Sequence, residues 1–168
     1  MTPANVGHLA LILAWSVSLA LGVLPLWAAQ RSERLKAQIS TPRHTQGNAH
    51  SLIISGMALA RPLALVQAAL IFTAFVCLLW AMAINDFSIA YVAEHSNSNL
   101  PLHYRLAATW GGHEGSLLLW VFILQLWTSA LVWRSPHWPL STQARVLAVL
   151  GQVCFGFVSF ILFTSDPF

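Results

Sequence analysis

Four stretches of the chain run apolar without a single charged residue: 6–29, 63–84, 116–133 and 146–164. Each comes close to the roughly 20 apolar residues a helix needs to cross a bilayer, so the pattern predicts four transmembrane helices. Nothing basic precedes the first stretch, and it is longer than the ~7–15-residue core of a signal peptide, so it reads as a retained span. Pro25 falls in its last turns, where it should kink the helix toward an interfacial Trp27. Ahead of the second stretch Leu52 to Ala60 is also apolar, but Arg61-Pro62 makes a natural helix start, because the N–H that proline lacks has no partner in a first turn. On the third, His113, Trp120 and Trp127 recur every seven residues with Leu117, Leu124 and Leu131 four after each. That seam suits helix packing or, alternatively, a flat aromatic ligand or lipid.

Polar positions gather in the connection 85–115, which is long for a helix–helix link. Its centre, Ser96-Asn97-Ser98-Asn99-Leu100-Pro101, is a turn cluster. His103 to Trp110 suits a short interfacial helix that turns Tyr104, Ala107, Ala108 and Trp110 toward lipid or protein. Gly111-Gly112 then breaks the chain, and the third span opens at His113-Glu114, where a glutamate complements the positive helix end. Ala37 to Ser51, with its Thr, Pro, Gln, Gly and Asn content, reads as a flexible linker. The fold class expected is an all-α polytopic membrane protein of four transmembrane helices with a structured outer loop.

Composition excludes the soluble alternative. Eight Lys or Arg and five Asp or Glu in 168 residues are 8% charged, where a soluble domain carries about 25%. With 57% hydrophobic residues and a mean hydropathy of +0.68, too little polar surface remains to face water. A net charge of +3 raises the question of nucleic acid. Yet Arg31, Glu33, Arg34, Lys36 and Arg43 fall in one short loop of an apolar chain, which marks topology and argues against a nucleic-acid partner. Arg31, Arg34, Lys36, Arg43, Arg61, Arg134 and Arg145 all lie on one side of the four spans and Arg105 alone on the other. The positive-inside rule therefore puts the first and third loops in the cytoplasm and the N-terminus, the 85–115 loop and the C-terminus outside.

Catalytic and metal motifs are scarce. His113-Glu114 opens like a zincin helix, but position 117 is Leu where the second His ligand belongs. The sequence has no GxSxG, and Gly111 to Gly115 lacks the lysine of a phosphate loop. His95, His103 and His113 match no zinc spacing. Cys77 and Cys154 sit in apolar runs as small core residues, so no metal site is expected. His8, an ionisable group near the outer end of the first span, is a functional candidate beside the simpler reading of a hydrated interface residue.

The loop nevertheless carries a family pattern. Asn85-Asp86-Phe87, Ala90-Tyr91-Val92, His95-Ser96-Asn97, Leu100-Pro101, Tyr104-Arg105, Ala107-Ala108, Trp110-Gly111 and His113-Glu114-Gly115-Ser116-Leu117-Leu118-Leu119-Trp120 resemble the N-terminal part of the CcmF-type cytochrome c haem lyases and of the paralogous NrfE-type proteins. The closing Phe163-Thr164-Ser165-Asp166-Pro167-Phe168 is similar too. The match runs through most of 77–168, and Pro25-Leu26-Trp27 resembles the family more weakly. Gly112 stands where the family leads one to expect Ala, and Asp166 where it suggests Asn.

The resemblance implies a bacterial inner-membrane protein, multi-pass with a periplasmic N-terminus, that helps attach haem to apocytochrome c on the periplasmic side. It implies haem as cofactor, and as partners a haem chaperone, a CcmH-type thiol-handling protein, apocytochrome c, membrane lipid and the C-terminal haem lyase portion or a complementing chain. The family's haem-ligating histidines lie beyond this chain's last residue, so the axial ligands are not expected here and the chain looks like an N-terminal piece. The residues expected to shape a haem or partner surface are Trp110, His113 and Glu114, with Arg105 available to pair a propionate. The competing expectations are a non-catalytic scaffold that only packs helices and, less well supported by uncharged spans, a small channel subunit.

Overall fold

A computed structural model describes residues 2–37 and 46–168, and every regular element among them is helical. The order is α1 (Pro3–Ala37), α2 (Gln46–Ala58), α3 (Ala60–Ile84), α4 (Ala90–His95), α5 (Leu102–Ala108), α6 (His113–Arg134) and α7 (Leu140–Thr164). Four helices are long and apolar enough to cross a membrane, within 3–34, 51–84, 113–134 and 140–164. α1 packs mainly on α3 and α7, and α6 closes the bundle against α3 and α7.

The helices outrun the apolar stretches. α1 passes through Pro25, which is buried in its interior and not in its last turns. Pro25 has no N–H for the Leu21 carbonyl and crowds it, and one residue on the Gly22 carbonyl accepts a hydrogen bond from Gln152 Nε2 at 3.3 Å. At about 1.5 Å per residue α1's 35 residues reach about 52 Å, beyond a ~30 Å hydrocarbon core. Part of the expected linker is helix: α2 begins at Gln46, while 38–45 lie outside the described residues. α2 runs almost unbroken into α3. Leu59 keeps helical angles, and its N–H and carbonyl bond to Ser55 and Leu63 at 3.1 Å each. Arg61-Pro62 therefore sits just inside α3, and the second span starts upstream of it.

Between helices in lipid there is little hydrophobic force, so close packing and polar bonds must hold them. Gly151 lies against Leu21 and Gly56 against Ala28, so backbones approach where side chains are small. Gln67 Nε2 donates to Ser18 Oγ at 2.6 Å, tying α3 to α1, and Trp15 Nε1 donates to Ser159 Oγ at 2.8 Å, tying α1 to α7. Arg61 donates to the Val132 carbonyl at 3.0 Å, at the negative end of α6. The face α6 buries is Gly115, Leu118, Val121, Gln125, Thr128 and Val132. The expected seam divides: Leu117, Leu124 and Leu131 are partly buried against the core, while Trp120 and Trp127 point outward, 67% and 72% exposed.

The alternation collects Arg31, Arg34, Arg61, Arg134 and Arg145 at one end of the bundle, where Arg145 pairs with Glu33 at 3.3 Å. The other end carries the 85–115 loop, Arg105, the start of α1 and the end of α7.

Candidate functional site

The loop end is built around one phenol. α3 stops at Asn85, whose left-handed conformation (φ 55°, ψ 52°) lets the Asn85 and Asp86 N–H groups bond back to carbonyls of the last turn. Asn85 Oδ1 accepts from Ser96 Oγ at 2.7 Å, which folds the loop back on itself. Between them α4 buries Tyr91 and Val92. The Tyr91 hydroxyl donates to the Thr109 and Ala108 carbonyls (3.0 and 3.2 Å) and accepts from the Gly112 N–H (3.1 Å). One side chain thus fastens α4 to the end of α5 and the start of α6.

The glycines make room for it. A Cβ at Gly115 would strike the Thr109 carbonyl and the Tyr91 hydroxyl, and one at Gly112 would come within 2.6 Å of His95 Nε2 and 2.7 Å of the Tyr91 ring. Glycine at 112 therefore leaves room for a His95 ring stacked on Tyr91 at 4.4 Å between centroids. His95 Nδ1 also meets the Tyr91 carbonyl at 3.0 Å.

Burial pushes the Tyr91 phenol above its ordinary value near 10, with the charge of Glu114 adding to the rise and the Gly112 N–H opposing it. A raised phenol favours the protonated donor, so its contribution to stability is complete below pH ~10 and is lost as pH climbs through the folded value. Tyr91 and Tyr104 are the chain's two tyrosines. In a Tyr104→Phe protein, alkaline ultraviolet titration should therefore give one phenolate transition, above pH ~10. A midpoint at or below 10 would contradict the buried setting.

The expected site residues divide between bracing and display. Arg105 Nη1 donates to the Ala83 carbonyl at 2.8 Å, so it caps α3 and seats α5, and a propionate would have to share it. Glu114 is half-buried in the first turn of α6, within electrostatic reach of Tyr91. Trp110 is 45% exposed, its carbonyl held by Ser116 Oγ at 2.7 Å. The exposed His113 ring meets Ser165 Oγ through Nδ1 at 2.9 Å and Phe160 edge-on at 6.1 Å. α5 lies at Leu102–Ala108, close to the expected interfacial helix, and leaves Tyr104 exposed.

Sequence reasoning passed over three members. Tyr91 is the hub, and the Gly111-Gly112 break was its only local trace. Ser165 and Asp166 bring the end of the chain into the site, where Asp166 Oδ2 meets His8 Nδ1 at 2.9 Å and Phe168 covers Gly7. Nothing local in the sequence announces a pairing between positions so far apart. His8 thus has a carboxylate partner at the interface.

As a test of fit for haem, the described residues offer an edge and not an enclosure. The groove beside His8, lined by Ala4, Asn5, Leu9, Ile12 and Phe168, is about 220 Å³ and open, below the ~300–1,000 Å³ of pockets that bury small molecules. Among the described residues no three His, Cys, Asp or Glu side chains converge. This groove beside His8 does not by itself enclose a haem.

No family model matches the chain. It is 43% identical over 165 residues to "Cytochrome c-type biogenesis protein CcmF" of Haemophilus influenzae and 45% identical over 164 residues to that of Pseudomonas aeruginosa, in each case 98% of this chain and 22% of the relative. "Cytochrome c-type biogenesis protein NrfE" of Haemophilus influenzae is 50% identical over 91 residues, 54% of this chain and 14% of that protein. Among solved structures, "Cytochrome c Heme Lyase CcmF" superposes with a TM-score of 0.74 at 32% identity, covering all of this chain and 25% of that one. The similarity thus extends through the first two helices as well as 77–168, and the chain spans about a fifth of the length of the CcmF relatives it matches. Together these likenesses make the chain similar, along nearly its whole length, to part of the CcmF-type proteins.

Proposed function

We propose, from a chain that is CcmF-like along its whole length, that it forms the N-terminal helical part of a cytochrome c-type biogenesis haem lyase of the bacterial inner membrane. In this reading the loop end faces the periplasm, and its edge of Trp110, His113 and Glu114 abuts the haem or the partner that carries it. Haem is the cargo, and its ligands come from the rest of the lyase. Apocytochrome c, a haem chaperone and a thiol-handling CcmH-type protein are the partners that such an assembly serves. The observation that carries the proposal is the display of Trp110 and His113 on a fastened scaffold: both side chains keep exposed surface, with His113 steadied by Ser165.

The same fastening favours a second reading, a non-catalytic scaffold, because Tyr91, Ser96 and Arg105 are all committed to holding the loop. One experiment separates the two. The chain is produced in a bacterium lacking its own lyase, together with the remaining part of Haemophilus influenzae CcmF as a second polypeptide, and haem-stained cytochrome c is measured. Trp110→Ala and His113→Ala should each lower haem attachment about tenfold, equivalent to losing a contact of about 1.4 kcal/mol, at unchanged membrane levels. Full attachment in both variants would leave the scaffold reading.

A further inference from the structure

His113, the first residue of α6, is exposed, yet two contacts hold one side of its ring. Nδ1 lies 2.9 Å from Ser165 Oγ, and Phe160 meets the ring edge-on. The serine decides which nitrogen carries the hydrogen. Ser165 is 5% exposed, and among the described residues its hydroxyl meets His113 Nδ1 and no other group. A buried hydroxyl needs an acceptor for its hydrogen, so Ser165 donates and Nδ1 accepts. A neutral imidazole that accepts at Nδ1 carries its own hydrogen on Nε2. Among the described residues Nε2 has no partner, so His113 displays an N–H donor at the loop end.

The cationic and imidazole groups around it are engaged. Arg105 Nη1 bonds to the Ala83 carbonyl, His8 Nδ1 meets Asp166, His95 is stacked on Tyr91 with Nε2 beside Gly112, and His103 lies against Tyr104. We infer that the Nε2–H of His113 binds a carboxylate of the cargo, a haem propionate, with Ser165 as the residue that positions it. A nitrogen that carries hydrogen has no lone pair for iron, so the same tautomer that suits a propionate excludes axial ligation through Nε2. Trp110, three positions earlier and 45% exposed, adds an aromatic surface for the macrocycle. Glu114 follows about 100° further round the helix, where its charge acts on Tyr91. The inference rests on the haem lyase reading above, which supplies the propionate.

Two readouts test it. Nitrogen NMR of the full chain, labelled at histidine and held in micelles at about pH 8.5 where imidazole is ordinarily neutral, should show His113 with hydrogen on Nε2 and none on Nδ1. The resonances are identified by their loss in His113→Gln, and Ser165→Ala should shift the hydrogen toward Nδ1. In the two-polypeptide membranes, absorbance titrations then compare haem with its dimethyl ester, which lacks the carboxylates. His113→Ala should cut the preference for haem over the ester about fivefold, the worth of one hydrogen bond to a charged group at a partly exposed edge. His113→Gln, whose amide nitrogen reaches the place of Nε2, should restore it, and Ser165→Ala should cut it about threefold. Hydrogen on Nδ1 in the parent, a preference unmoved by His113→Ala, or no recovery in His113→Gln would each overturn the inference. Haem attachment is read separately in the same cells. Attachment with an unmoved ester preference sinks the propionate contact alone, whereas no attachment by the parent pair sinks the functional reading and leaves the tautomer to stand on the NMR.

Discussion

Gly115→Ala abolishes the well-folded protein: in detergent micelles the variant should show early thermal unfolding and an aggregated profile on size exclusion. The added methyl meets the Thr109 carbonyl and the Tyr91 hydroxyl. The first is backbone and cannot rotate away, and the second is pinned by three hydrogen bonds. Forced overpacking costs about 1–3 kcal/mol where neighbours can shift, and here the expected loss is about 3 kcal/mol or more. Gly156→Ala is the control, since a methyl there meets nothing within 4 Å. It should leave the melting temperature unchanged or slightly higher, because alanine is the better helix former. Equal behaviour of the two variants would mean that α6 does not start against α5 as described.

Tyr91→Phe is the second large effect, and it works by subtraction. The ring still fits, but the Gly112 N–H and the Thr109 carbonyl lose their partner inside the loop, and each unsatisfied buried group costs about 1–3 kcal/mol. The melting temperature should fall by about 5–10 °C for a chain of this size. Because α4, α5 and α6 part at this point, protease sensitivity should rise within 96–112 before the helices melt. A variant that melts like the parent, with an equally resistant loop, would show that the hydroxyl does not fasten it.

Much of the fold was legible because membrane spans are written in composition. The four uncharged stretches became α1, α3, α6 and α7, and the turn cluster and Gly111-Gly112 bounded the short α5. The errors share one cause. Hydropathy reports where the membrane is and not where the helix stops, so the charged end of α1 and the six residues that open α7 before 146 were missed. In lipid a packed face is no more apolar than an exposed one. Trp120 and Trp127 therefore looked like a seam although they point outward, whereas the true seam was marked by its small and polar members, Gly115, Gln125 and Thr128. Of the residues expected at the site, His113 and Glu114 open α6, with Trp110 just ahead of it and Arg105 in the last turn of α5. The hub was not visible in the sequence, because Tyr91 differs from a lipid-facing tyrosine only through partners 17 to 21 positions away.

The bond between Trp15 and Ser159 spans 144 positions, and that separation sets a schedule for synthesis. At about 5–20 residues per second the ribosome takes roughly 7–30 s to deliver Ser159 after Trp15. During that wait α1 has α3 for company, through the Ser18–Gln67 bond, while the indole of Trp15 stands without its acceptor in the nascent membrane protein. Assembly is therefore ordered in time. The early helical pair must persist in the bilayer half-finished, and the arrival of α7 completes it, joining Trp15 to Ser159, Gln152 to Gly22 and Asp166 to His8 in a single late step.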